Sequence, residues 1–111
     1  MMAGMLEVAR VLLLGCVKRK LDHRSLAKDL YCSPLWKRRR AYAEASGRPW
    51  RILSAKHGLV DPDALLDPYD VALGSLDAHS RREWGTRVVD ALERDFGSLR
   101  AITFEMHAGV V

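Results

Sequence analysis

The stretch ILSAKHGLV, Ile52 to Val60, begins as a buried strand and turns polar halfway along. Ser54, Lys56 and His57 follow the apolar pair Ile52-Leu53, and Gly58 then breaks the chain. A hydroxyl, an amine and an imidazole in four residues are the parts of an acid–base centre. A cation beside an imidazole disfavours the imidazolium and keeps a histidine neutral, the state a general base needs. A histidine capping a turn is the plainer role. Ser54 lacks the GxSxG context of a nucleophile elbow, so it reads as a hydrogen-bond donor to substrate or as a cap.

A second polar strand end precedes it. Val11 to Leu14 is a short continuous apolar run closed by Gly15, followed by Cys16-Val17-Lys18-Arg19-Lys20. Cys16 beside three cations is a candidate nucleophile if exposed, and a small buried residue otherwise. Lys18 and Lys20 alternate, so they can clamp a phosphate from one side. Ligands of open parallel α/β sheets bind beyond the carboxyl ends of the strands. If the two strands are adjacent and parallel, residues nearly forty positions apart share one rim.

The intervening elements must make this possible. Ser33-Pro34 is a hydroxyl cap followed by proline at the first helical position, which predicts a helix to about Ser46, stopped by Gly47 and Pro49. Trp50 to Leu53 is a second strand. Trp84, Val88, Val89, Leu92 and Phe96 recur at helical spacing within Asp77 to Phe96, and Ala101 to Phe104 is a third strand. That strand would bring Glu105 and His107 to the same rim. Val17 to Lys28 and Ala55 to Tyr69 read as loops. The second contains Pro62, Pro68 and four nearby aspartates, Asp61, Asp63, Asp67 and Asp70. Loops of such length within a compact domain tend to be functional. Here Tyr69 and Asp70 would return a phenol and a carboxylate to the rim.

The order strand, helix, strand, helix, strand predicts an α/β fold: a small, mostly parallel sheet of about three strands with flanking helices. The 111 residues suit one domain, with residues 1–9 a poorly ordered start. So thin a sheet leaves its edges open, which suits pairing with a second copy.

Charge points to the partner. Residues 10 to 40 hold ten Lys/Arg against two acids, a local balance of +8 within a chain whose net charge is +4. A cationic third implies nucleic acid, a nucleotide or another phosphorylated molecule, or else a solvated basic surface. Arg38 and Arg39 fall on the same helix face as Leu35 and can lean inward to an anion or lie along the helix. Trp36, Trp50 and Trp84 read as core, with Trp36 also placed to stack on a base. No apolar run nears the roughly 18 residues of a membrane span, and LLLGC is too short for a secretory core. Cys16 and Cys32 make no disulfide framework, so a reducing cytoplasm is the expectation. The four histidines have no metal-ligand spacing, and neither metal nor cofactor is expected.

The segments GCVKRK, DLYCSPLWKRRRAYAEASG and WRILSAKHGLVDPDALLDPYDVAL together resemble an uncharacterised domain family of bacteria and their phages. That family has a Cys-x-Lys-x-Lys strand end and an LSAKHGLV-x-P-x-x-x-L-x-PYD block. The block is similar, more distantly, to the YaaA peroxide-stress family, associated with DNA binding. A similar cysteine-plus-lysine strand end and SAK-GL block recur in the central domain of archaeosine synthase, which acts on a deazaguanine base in tRNA. The resemblance implies an α/β fold and a nucleic-acid or nucleobase partner. Matched positions include Cys16, Lys18, Lys20, Tyr31, Ser33, Ser54, Lys56, His57, Gly58, Pro68, Tyr69 and Asp70. Relatives continue beyond an AG-x-x-Y turn, so the chain is expected to be shortened at its C-terminus.

The resulting expectation is a nucleotide- or nucleobase-directed enzyme-like domain. Ser54, Lys56, His57, Asp70 and Cys16 would carry a group-transfer or glycosidic-bond reaction. Lys18, Lys20, Arg38, Arg39, Ser33 and Tyr69 would hold phosphate or nucleic acid. The alternative is a non-catalytic DNA-binding protein of the YaaA-like oxidative-stress type.

Overall fold

The computed structural model describes residues 9–108; the expectation of a poorly ordered start lies, for residues 1–8, outside them. Ala9 already belongs to the first strand, β1 (Ala9–Gly15). Then follow β2 (Ser25–Leu26), a one-turn helix α1 (Ala27–Leu30), α2 (Pro34–Ser46), β3 (Trp50–Ser54), β4 (Gly58–Val60) and β5 (Leu65–Leu66). A 3₁₀ turn at Leu73–Ser75, the long helix α3 (Ala78–Phe96), a second 3₁₀ turn at Leu99–Ala101 and β6 (Ile102–His107) complete the order. Among the described residues, no helix is long and apolar enough to cross a membrane.

The fold is α/β, and its main sheet has the order β4-β3-β1-β6. β1 runs parallel to both β3 and β6, so the strands expected to be neighbours are neighbours. The sheet has one strand more than the pattern suggested, because β4 folds back antiparallel on β3. Only Ala55, Lys56 and His57 separate those two strands, and Gly58 closes the turn at φ 75°, a conformation that strains any residue with a Cβ. The two stretches read as loops are also partly ordered. β2 and β5 pair antiparallel, and Lys20 bridges Tyr31.

Alternation along β1 divides the core between the two faces. Leu12 and Leu14 pack with Trp36, Ala43, Ile52, Tyr31 and Leu30 on the α2 side. Val11 and Leu13 pack with Leu53, Val88 and Leu92 on the α3 side. β1 is buried on both faces, which is why it reads as an unbroken apolar run. The helix ends follow their residues. Ser33 Oγ accepts from the Trp36 N–H at 3.1 Å, and Gly47 closes α2 at φ 68°. Asp77 caps α3 by accepting from the Ser80 N–H at 2.7 Å.

Candidate functional site: a cleft at the strand ends

The two polar strand ends do arrive side by side. The Cys16 N–H donates to the Leu53 carbonyl at 3.0 Å, extending the β1–β3 ladder past Gly15. On the other flank Gly15 lies so close to Ala108 that an added Cβ would stand 2.7 Å from the Ala108 Cβ. Glycine is therefore required where β1 passes the end of β6.

Beyond these ends opens a cleft of about 660 Å³. Its floor and apolar wall are Leu53, Ala55, Trp84 and Met106; Val71 to Leu73 form the facing wall. Cys16, Lys18, Lys20 and Asp70 supply its polar rim. A concave, largely apolar cavity of several hundred Å³ with a few convergent polar groups is the usual form of a small-molecule site. Four of the eleven residues singled out from the sequence thus meet in one place.

The rest stand elsewhere, each for a local reason. Ser54 is fully buried on the α2 side, the face opposite Leu53. Its Oγ accepts the His57 N–H at 3.0 Å and donates to the Tyr69 hydroxyl at 2.8 Å. Its carbonyl accepts the Trp84 indole N–H at 2.8 Å. Its hydroxyl and its carbonyl are both hydrogen-bonded within the fold, so Ser54 caps the turn and fixes the strand tip. Lys56 and His57 are exposed on the turn itself, outside the cleft lining. Ser33 is occupied in capping α2. Arg38 is exposed, while Arg39 leans inward as its helical position allowed and donates to the Gly15 carbonyl at 3.0 Å. Trp36 is only 1% exposed, so it has no face on which a base could stack.

Behind the cleft runs a chain of hydroxyls that no sequence pattern announced. The Tyr31 and Tyr69 oxygens are 2.6 Å apart, and Ser54 Oγ joins them through Tyr69. Burial pushes the Tyr31 phenol up to about 12, and pushes that of Tyr69 further in the same direction. Both remain protonated at neutral pH and serve as hydrogen-bonding struts. Lys20 lies over the Tyr69 ring, 4.4 Å from its centroid, and donates to the Lys18 carbonyl at 3.1 Å. Around Tyr69 the loop is pinned by ion pairs. Arg24 grips Asp67 with two bonds of 3.1 and 3.2 Å, and Lys28 meets Asp63 at 2.7 Å.

Glu105 and His107 were expected at the rim with the other strand ends. They pair with Leu12 and Leu14 across β1–β6, so they point to the α2 side, while Met106 and Ala108 face the cleft. There His107 Nε2 meets Glu105 at 2.7 Å and the His107 ring packs 4.8 Å from that of Tyr42. Trp84 is the reverse case. Its place in the apolar stripe of α3 marked it as core, and it doubles as cleft wall.

His57 carries a measurable signature. Burial first, then the charges of Lys56 and Arg87, hold its imidazole below the usual value of about 6.5. Its neutral form is thus favoured in the folded protein. The associated stability is complete above the unfolded-state value and is lost as pH falls through the folded one. Proton NMR should place the His57 midpoint below that of an unfolded reference, and Lys56→Gln should move it upward. A midpoint at or above the reference would contradict the arrangement.

Comparison with known proteins places the chain without assigning it a reaction. It is similar to the uncharacterised protein YfjM of Bacillus subtilis (strain 168), 44% identical over 50 residues. That match covers 44% of this chain and 33% of the relative, so the chain spans about a third of that protein. No solved structure matches it. Residues 11–111, nearly the whole chain, match a family of unknown function, DUF6884, and the chain belongs to that family.

Proposed function

We propose that the protein is a nucleotide- or nucleobase-directed domain whose ligand enters the cleft at the strand ends. The observation that carries this reading is the composition of that cleft: an apolar wall with one indole, and two lysines, Lys18 and Lys20, among the residues of its rim. A flat ring suits the wall and a phosphate suits the lysines. The likeness of the cysteine-plus-lysine strand end and the SAK-GL block to the central domain of archaeosine synthase points the same way. Cys16 on the rim is the candidate nucleophile: its thiolate would attack the anomeric carbon of a bound nucleoside as the base leaves with a proton, and an incoming base or water would then displace the sulfur.

Alkylation of Cys16 tests the occupancy of this cleft directly. Cys32 is not among the cleft-lining residues and serves as an internal control. Millimolar nucleoside monophosphates are expected to slow iodoacetamide labelling of Cys16, leave Cys32 unchanged, and raise the melting temperature. Unchanged Cys16 labelling with an unchanged melting temperature would remove the proposal.

A second reading, a YaaA-like DNA-binding protein, is favoured by one observation. Arg19, Lys37 and Arg38 are exposed and without ion-pair partners among the described residues. In that case affinity for DNA falls steeply with salt and does not depend on the cleft.

A further inference from the structure

We infer that the segment from Val71 to Leu76 is a strap that closes over the cleft, carrying Leu73 toward Met106 on the opposite wall. The inference goes beyond the nucleotide reading, since it concerns how the cleft opens and not which ring enters it. Among the described residues, the hydrogen bonds of this segment are all internal. The Ser75 N–H and hydroxyl both donate to the Ala72 carbonyl, at 3.0 and 2.7 Å, and the Leu76 N–H donates to the Leu73 carbonyl at 3.2 Å. The flanks, by contrast, are pinned. Before the strap, the Tyr69 hydroxyl is tied to Ser54 and Tyr31, and Arg24 grips Asp67. After it, Asp77 accepts the Ser80 N–H and caps α3. A short segment held at both ends and bonded only to itself belongs to the low-stability end of a fold, from which lids are drawn.

Its side chains give the direction of movement. Leu73 is 36% exposed and Met106 is 56% exposed, and both line the cleft, from facing walls. Large apolar side chains left open on two sides of one cavity lose that exposure together when the walls approach. The Met106 wall is fixed. β6 is paired with β1 along its length, and the Trp84 indole N–H is bonded to the Ser54 carbonyl at 2.8 Å. The strap is therefore the wall that moves, and the open space around Gly74 gives it room to do so. Closure of the empty cleft is opposed by the backbone freedom the strap would lose. A ligand with an apolar ring supplies further surface to bury against Trp84, so the strap shuts when the cleft is filled.

Hydrogen exchange of the full chain, read by mass spectrometry with and without anilinonaphthalene sulfonate, decides the matter. This probe is an aromatic anion whose fluorescence reports its own binding. In the free protein the amides of residues 71–76 should exchange about 100-fold or more faster than those of β1 and α3. Saturating probe should slow the strap about 10-fold and leave residues 61–67 unchanged, the scale of one aliphatic side chain buried at some cost in chain freedom. Leu73→Ser should melt as the parent does, bind the probe about 10-fold less tightly and keep its rapid exchange when the probe is bound. Met106→Ser tests the same contact from the fixed wall and should behave alike. A free strap as protected as α3 overturns the inference. So does a strap whose exchange ignores bound probe, or a pair of variants that both match the parent. Failure of the probe to bind overturns it as well, since the strap then has no apolar ring to close on. None of these results decides the nucleotide reading, which protection of Cys16 by nucleoside monophosphates tests separately.

Discussion

Trp36→Ala is expected to cost the fold about 3–5 kcal/mol, the range for removing a fully buried aromatic side chain. The indole is 1% exposed and its ring lies 5.0 Å from that of Tyr31. Its N–H donates to the Lys28 carbonyl at 2.9 Å, and that carbonyl also receives a bond from Arg40 at 3.0 Å. The residue therefore joins three things: the α2 face of the sheet, the short helix α1, and the phenol pair behind the cleft. Domains of this size have total stabilities of about 5–15 kcal/mol, so the variant loses about a fifth or more of what holds it together. A fall in melting temperature of about 10–20 °C follows. Thermal denaturation followed by circular dichroism checks it. A fall of under about 5 °C would show that Trp36 is not the centre of the α2-side core.

The same residue shows what can be read from sequence and what cannot. Ser33, Pro34 and Gly47 mark the ends of α2 by chemistry local to each end, and the structure has them there. Asp77 and Gly97 do the same for α3. The apolar runs at Val11 and Ile52 are long enough to declare buried strands, and parallel pairing then brings their ends together. By contrast, β2, β4 and β5 are two or three residues long, and pairing with a partner is what orders them. In isolation Gly58-Leu59-Val60 is only the rest of a glycine-broken loop.

The candidate site divides along the same line. Cys16, Lys18, Lys20 and Asp70 were legible because each lies just past a strand or in a proline-stiffened loop. Ser54 was misplaced because polar residues at a strand tip are read as exposed. One residue of alternation decides the matter: Leu53 and Ala55 face the cleft and Ser54 turns inward. Its burial is tolerated because Tyr69, fifteen positions later, and the His57 N–H satisfy its hydroxyl. The Tyr31–Tyr69 contact spans 38 positions and has no periodic signature. Glu105 and His107 were expected just past a strand ending at Phe104; the strand runs on to His107, and its register against β1 turns both to the α2 side.

The cleft itself is tested most sharply by removing its cations. In the paired substitution Lys18→Ala/Lys20→Ala, nucleotide affinity should fall about 10–100-fold, some 1–3 kcal/mol, which discounts the full strength of a charge-assisted hydrogen bond for solvent exposure. Lys18 is exposed at the mouth, whereas Lys20 is half-buried and held over Tyr69. The two should therefore contribute unequally. Lys20 enters the site pre-positioned and gives up less side-chain freedom on binding, so its single substitution should weaken binding more than that of Lys18. Lys20→Ala also removes a cation–π contact worth about 0.5–1 kcal/mol, so a small drop in melting temperature accompanies it. Lys20→Met separates the two effects, because its unbranched apolar chain keeps contact with the Tyr69 ring and lacks the charge. Arg38→Ala, on the exposed face of α2, should leave nucleotide affinity unchanged. The opposite pattern, with Arg38→Ala harming DNA binding and the lysine pair harming nothing, would transfer the function from the strand ends to the helix surface. It would do so on charge placement alone, since both sets of cations lie within the same +8 stretch of chain.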